Sequence, residues 1–322
     1  MNKSTTIFGI DISKDSFDVW SSELGHKKFS NNLCGFKDFK KELSKSSWCV
    51  MEYTGCYYQQ LAMFLYQKGI SLSVINPLVI KRFIQMKFQH NKTDKSDARL
   101  IAQYGSEQKL NPWIPNPEYI EKCKDLHNTV AMYFKQSTAL KNKVHSFESR
   151  NCPRIILQSL KRQLTHFQNE IKKLEGEIEH LIKEYEPGML SNLLSIPGIG
   201  KKTAMVLISS SNAFRSFENF KQLSAFYGLS PCEHTSGVSV RGRSRITKKG
   251  NPYIRKHLFM CSFTACEHNQ ACKALYNRIV NKGKSKKLAL IAVCNKLLKQ
   301  SFAIAKSGVP YNSEYRSRLE MQ

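Results

Sequence analysis

Four carboxylates in the first third of the chain stand where an unpaired negative charge is costly. Thr6-Ile7-Phe8-Gly9-Ile10-Asp11-Ile12-Ser13 is a near-continuous apolar run, the pattern of a strand buried on both faces, and Asp11 sits inside it. A buried, ionised carboxylate either loses several kcal/mol or shifts its pKa to escape the charge. A bound cation removes the conflict, so Asp11 reads as a metal ligand. The other reading is a strand-end Asp that faces solvent or caps a turn beginning Asp11-Ile12-Ser13-Lys14-Asp15. Trp48-Cys49-Val50-Met51-Glu52-Tyr53 repeats the arrangement, a second apolar strand closing on a carboxylate. Asp94 and Asp97 are three residues apart in the helical segment that runs from Lys92 to Ala102, which puts both on one face. Thr93 or Asp94 can cap that helix, and acids near a helix N-terminus complement its dipole. Two like charges on one face nevertheless repel unless a cation lies between them. Grouped, Asp11, Glu52, Asp94 and Asp97 offer hard oxygen donors for two Mg²⁺ ions, which clamp the attacking and leaving oxygens of a phosphodiester.

The elements around them follow an α/β order. Residues 16–22 and 28–31 alternate as short strands that complete a meander with the first. A helix over 36–43 precedes the Glu52 strand. A helix over 57–68, a strand over Ser71–Ile75 and a basic helix over 78–87 come before the Asp94/Asp97 helix. This is the wiring of a ribonuclease-H-like (RuvC-like) nuclease core, in which carboxylates from two strand ends and a helix converge over the sheet. The proline-rich break Asn111-Pro112-Trp113-Ile114-Pro115-Asn116-Pro117 ends it, so residues 1–112 are expected to form the first domain.

A helical middle region, 113–187, follows. A polar helical stretch runs from about Glu118 to Glu148. Then Leu157, Leu160, Leu164, Phe167, Ile171, Leu174, Ile178, Leu181 and Tyr185 alternate steps of three and four, the seam of a coiled coil. The seam can fold back on 118–148 or meet its copy in a second subunit; the second option is the expectation, giving a homodimer or homotetramer.

The C-terminal region, 188–322, reads as mostly α. Ile196-Pro197-Gly198-Ile199-Gly200-Lys201-Lys202 entering a helix is a helix-hairpin-helix signature. In it Gly198 and Gly200 let backbone N–H groups approach a phosphate, and the helix N-terminus favours negative charge. A tight helix–helix turn without a ligand is the alternative. After helical spacing through Phe214–Tyr227, small and polar residues (Ser236-Gly237 among them) lead into Arg241, Arg243, Arg245, Lys248 and Lys249. That loop is either a solvated basic surface or the setting of a nucleophilic serine facing a phosphate, whose charge the Arg and Lys side chains neutralise. Helices over 253–269 and 288–306 read as scaffold, and the segment after Gly308 as a frayed tail.

Charge supports a polyanion partner. The 322 residues carry a formal net charge of +25. From Pro187 onward there are 22 Lys and Arg against 5 Glu and no Asp, whereas all seven Asp lie at or before Asp125. Acidic chemistry thus sits at the front and the phosphate-binding surface at the back. The ten cysteines show no C-x-x-C pair or metal-ligand spacing with His, as expected of reduced thiols in the cytoplasm. No apolar run reaches the roughly 18–20 residues of a membrane span, and Met1–Thr5 lacks the apolar core of a secretory signal.

On these residues the whole chain resembles the DEDD insertion-sequence transposases, relatives of the Piv-type DNA invertases, described as bridge-RNA-guided recombinases. The resemblance rests on Asp11, Glu52, Asp94 and Asp97, the coiled-coil middle, Ile196–Gly200, Gly228-Leu229-Ser230-Pro231, Ser236-Gly237 and Lys248-Lys249-Gly250-Asn251 taken together. It implies that the carboxylates bind Mg²⁺ and help a serine attack the scissile phosphate, forming a transient 5′-phosphoserine link that a DNA hydroxyl reverses. Ser236 best fits the family's serine, with Ser239 and Ser244 in the same loop. It further implies double-stranded DNA as substrate, a structured non-coding guide RNA, a site shared between subunits, and a bacterial, nucleoid-associated protein. A Mg²⁺-dependent hydrolytic nuclease of the junction-resolvase kind is the alternative, and a non-catalytic nucleic-acid-binding protein the third.

Overall fold

The computed structural model describes residues 5–53, 55–87, 94–150, 152–232, 235–236, 240–241 and 245–314, with the backbone alone described at 94, 235, 236, 240 and 241. The chain divides into two compact units, Met1–Pro115 and Asn116–Gln322.

The first unit is built on a five-stranded sheet in the order β3-β2-β1-β4-β5. β1 (Thr6–Ile12), β2 (Ser16–Ser21) and β3 (Gly25–Ser30) form the antiparallel meander. β4 (Ser47–Glu52) and β5 (Ser71–Ile75) continue the sheet parallel to β1. Period-2 alternation sends Phe8, Ile10 and Ile12 to one face, where Phe17, Val19, Cys49, Met51 and Leu72 join them. α1 (Leu33–Lys41) and α2 (Tyr58–Gln67) cover that face through Phe36, Phe39, Leu61 and Leu65. On the other face Val50 packs with Ile80 of α3 (Pro77–Met86) and Ile101 of α4 (Asp94–Glu107). The proline-rich break is tied to the sheet: Trp113 N–H donates to the Leu72 carbonyl, and Ser73 Oγ donates to the Asn111 carbonyl. This mixed sheet is consistent with a ribonuclease-H-like domain.

The second unit is helical. α5 (Glu118–Glu148) and α6 (Arg154–Tyr185) form an antiparallel hairpin, with Tyr119 stacked on Tyr185 at one end and Tyr133 against Phe167 further along. The heptad seam therefore has a partner within the chain, the fold-back option, while Leu157, Leu160, Leu164 and Phe167 stay partly exposed. Ile171 and Ile178 are buried and Leu174 and Leu181 partly so. A seam demands apolar cover without naming its source, and a polar helix joined by a short turn supplies it at low entropic cost. The hairpin shares one core with α7 (Pro187–Leu194), α8 (Lys201–Ser210), α9 (Phe220–Phe226), α10 (Pro252–His268), α11 (Gln270–Asn281) and α12 (Lys286–Ser307). α12 is long and apolar enough to cross a membrane by length and composition, but Val293, Cys294, Leu297 and Leu298 are fully buried in that core.

Three expectations change here. The helix foreseen from Phe214 begins only at Phe220, because Asn212, Ala213 and Phe214 adopt left-handed φ of 53°, 51° and 60° and end α8. Burial of Ala213 and Phe214 and a bond from Phe214 N–H to Ser211 Oγ hold that unusual turn. Residues 270–281 form a separate helix, α11, capped by Asn269. Residues 309–314 of the tail after Gly308 are tied down rather than frayed, with Tyr311 N–H donating to Ser195 Oγ and Asn192 Nδ2 donating to the Gly308 carbonyl, and the rest of that tail lies outside the described residues.

Candidate functional site: a carboxylate sheet edge and a basic hairpin

β1 and β4 run parallel in the register Phe8↔Cys49, Gly9↔Val50, Ile10↔Met51. One step further along both strands are Asp11 and Glu52, so the two half-buried carboxylates occupy adjacent positions at the carboxyl ends of neighbouring strands. They lie on the face opposite Ile10 and Met51. Cys49 belongs to that opposite face, where burial pushes its thiol pKa up, so it does not join the carboxylates.

α4 brings the helical pair to the same end. A Cβ on Gly9 would lie 2.2 Å from the Ala98 carbonyl oxygen and from the Ala102 nitrogen, so the α4 backbone rests on β1 at that glycine. Gly105, one turn later, lies over Ile7 and Val50. Helix numbering rises as strand numbering falls, so α4 crosses antiparallel to β1 and its N-terminal end is at the end of β1 that carries Asp11. Half-buried Asp97 directly precedes Ala98. Asp94 opens the helix, and its side chain lies outside the described residues. Among the described residues no three His, Cys, Asp or Glu side chains are grouped closely enough to hold a metal ion.

Asp18, on β2 directly opposite Asp11, was not singled out from sequence. It is buried, accepts from His26 Nε2 at 2.7 Å and lies 3.6 Å from Lys28 Nζ. Two acids facing each other across a ladder repel, and Lys28 together with the hydrogen bond from His26 on β3 offsets that. The alternation of Ser16–Ser21, with Asp18 on the polar phase, was the available signal. A cleft of about 510 Å³ lies elsewhere, at the start of β1, lined by Thr6, Ile7, Trp20, Arg99 and Gln103.

In the second unit the basic loop is a β-hairpin. β6 (Pro231–Cys232) pairs with β9 (Arg245–Ile246), and β7 (Thr235–Ser236) pairs with β8 (Val240–Arg241), with Ser236 opposite Val240. Ser239, Arg243 and Ser244 lie outside the described residues, as do the side chains of Ser236 and Arg241. Arg245, Lys248 and Lys249 are exposed, without an ion pair among the described residues. The base of the hairpin is tight: a Cβ on Gly250 would lie 2.3 Å from the Phe226 carbonyl oxygen. Arg255, which sequence reasoning passed over, pins that base by donating to the carbonyls of Tyr227 and Gly250.

The α7–α8 turn is more engaged than the sequence suggested. Gly198 has φ +103° and a Cβ there would lie 2.6 Å from Ala265 Cβ, so this glycine serves packing against α10. Gly200 has open space around it. Lys201 and Lys202 are paired with Glu179 and Glu175 of α6, the latter at 2.7 Å. Lys183 and Lys201 hold the Glu179 carboxyl below its usual range.

Residues 190–277 match the family described as Transposase IS116/IS110/IS902 family, and residues 8–150 match a DEDD transposase family. The pilin gene-inverting protein of Moraxella bovis is 30% identical over 329 residues, covering 96% of this chain and 98% of the relative. This chain belongs to the IS110/IS116 transposase family. A transposase for insertion element IS1328 from Yersinia enterocolitica is 24% identical, over 80% of this chain and 83% of its own. One for IS1111A from Coxiella burnetii is 25% identical, over 90% and 83%. In this transposase the 8–150 match encloses all four expected carboxylates, and the 190–277 match encloses the α7–α8 turn and the basic hairpin.

Proposed function

We propose that this transposase cuts and rejoins DNA strands by in-line phosphoryl transfer, with Asp11, Glu52, Asp94 and Asp97 holding Mg²⁺ and Ser236 as the nucleophile. The observation that carries the reading is the β1–β4 register, which sets Asp11 beside Glu52 at the strand ends toward which the N-terminal end of α4 points. The donor set is all carboxylate, with no His or thiol among the expected ligands, which suits a hard divalent ion. When bound, the ions supply Lewis-acid polarisation of the phosphate and neutralise charge.

The chain's own groups do the rest. Ser236 Oγ attacks phosphorus; the Oγ–P bond forms as the P–O3′ bond breaks, the serine loses its proton and the departing O3′ gains one. A DNA 3′-hydroxyl then attacks the phosphoserine, forming a new P–O3′ bond and returning Oγ as the free hydroxyl. One phosphodiester replaces another, so no external energy source is required. Arg241, Arg243, Arg245, Lys248 and Lys249 neutralise charge on the pentavalent phosphorus. The backbone amides near Gly198 and Gly200 contact phosphates without reading sequence. Base pairing by a structured non-coding RNA supplies target choice, and the active form is a homo-oligomer. The pilin gene-inverting relative supports DNA inversion as one outcome of this chemistry and the insertion-element relatives support transposition.

The second reading, hydrolysis by the carboxylates with water as nucleophile, is favoured by the fact that the carboxylate arrangement alone would serve it. Incubation with supercoiled DNA and Mg²⁺ followed by a denaturing gel decides between them. A protein–DNA adduct absent from Ser236→Ala supports the serine. Cleavage that persists in Ser236→Ala and vanishes in Asp11→Asn supports water.

A further inference from the structure

Lys201 and Lys202 at the α7–α8 turn are bonded to carboxylates of α6, whereas a second group of cations in this unit is not. From residue 268 to residue 313 there are nine Lys and Arg and no Asp or Glu. Four of these lysines fall within six residues, Lys282-Gly283-Lys284-Ser285-Lys286-Lys287, the connection between α11 and α12. All six residues are exposed, and none of the four lysines has an ion pair with a described residue. The segment lies beyond residue 277, where the C-terminal family match ends.

The connection is short and held at both ends. Gly283, at φ +73°, closes α11, with its N–H bonded to the Val280 carbonyl. Ser285 caps α12 by accepting from Leu288 N–H. The four charges are therefore concentrated on a fixed turn. Arg278 and Lys282 near the end of α11 have a local explanation, since cations favour a helix C-terminus. Lys286 and Lys287 do not. They occupy the first turn of α12, where the helix dipole disfavours positive charge and where no acid is present. Mutual repulsion adds to that cost. The segment thus concentrates positive charge that the described residues do not neutralise, and a bound polyanion would do so by displacing the small counterions that screen it.

We propose that the α11–α12 connection is a second phosphate-backbone grip, in which Lys282, Lys284, Lys286 and Lys287 contact duplex DNA in addition to the basic residues of 241–249. It rests on the DNA-strand-exchange reading above. Recognition is by charge density, so it carries no base preference. If each lysine displaces one counterion, the patch contributes about 3–4 to the slope of log K against log salt. Over a four-fold rise in salt that contribution corresponds to roughly a 100-fold loss of affinity.

The test is fluorescence-anisotropy binding of a 40-base-pair duplex by the full chain at several salt concentrations. It compares the unaltered protein, the Lys→Gln replacement of all four residues, and the Lys→Arg replacement of all four. The expected result is a slope lower by about 2–4 in the Gln variant and restored in the Arg variant, with both variants unfolding at the urea midpoint of the unaltered chain. An unchanged slope on DNA overturns the proposal, including the case in which only binding to a structured RNA is weakened. Failure of the unaltered chain to bind DNA would instead sink the DNA reading itself, so the two failures are distinguishable.

Discussion

Replacing Gly9 by alanine tests whether the sheet–helix contact sets the carboxylate geometry. The added Cβ would sit 2.2 Å from two α4 backbone atoms, against 3.4 Å or more for an ordinary contact, and neither backbone atom can rotate away. Relief requires α4 to move by about 1 Å, which also moves the end of the helix that carries Asp94 and Asp97. Overpacking of this kind costs about 1–3 kcal/mol of stability. A displacement of about 1 Å in a catalytic constellation costs on the order of 100-fold in rate. The assays are the urea midpoint and the rate of Mg²⁺-dependent nicking of supercoiled DNA. Gly105→Ala is the control on the same helix. Its Cβ would meet the Cγ2 methyls of Ile7 and Val50 at 2.8 Å, a milder overlap with side chains rather than backbone, so a loss toward the lower end of about 1–3 kcal/mol and a smaller loss of rate than in Gly9→Ala are expected. An unchanged midpoint and nicking rate in Gly9→Ala would refute the claim that this glycine fixes α4 over the strand.

Other perturbations give separate outcomes. His127 is half-buried with its Nε2 shielded from solvent and unbonded to any described residue, and desolvation, aided by His257, lowers its pKa to about 4 from 6.5. Below pH 6.5 the unfolded chain takes up a proton that the folded chain refuses, so stability is retained above that pH and falls toward pH 4. Between pH 7 and 5 the loss is about 2 kcal/mol, and urea midpoints should show His127→Phe to be flatter over that range. Arg215→Ala leaves Glu186, whose side chain is 10% exposed, with only the Tyr119 hydroxyl, and because the arginine is itself half-exposed the expected loss is about 2 kcal/mol by urea unfolding. Replacing both Glu175 and Glu179 by Gln frees Lys201 and Lys202, and should raise DNA affinity with a salt slope steeper by about 1–2.

Much of the first unit was legible because burial on two faces leaves strong marks. The runs at Thr6–Ile12, Ser47–Glu52 and Ser71–Ile75 are apolar enough to be central strands, and the carboxylates at Asp11 and Glu52 stand out against them. Asp18 was not legible in the same way, since one acid in an alternating edge-side strand has the ordinary look of a solvent face. The heptad of α6 announced that it needed cover, but the covering helix α5 is polar and weakly patterned, so pairing within the chain could not be read from the seam. The Ser236 segment has the look of a loop in sequence because its strands are only two residues each, below the length at which alternation is visible. Pairs such as Lys202 with Glu175 depend on how α8 sits against α6, which no local pattern encodes.

The central claim is that the ends of β1 and β4 and the start of α4 share a divalent ion. Replacing Mg²⁺ with Fe²⁺ and adding ascorbate and peroxide generates hydroxyl radicals at the bound ion, and mass spectrometry of the cleaved chain reads the nearby backbone. Cuts confined to the neighbourhoods of residues 11, 52 and 94–97, and lost in Asp11→Asn, are the predicted result. Cuts absent from those three segments, or unaltered by Asp11→Asn, would contradict it.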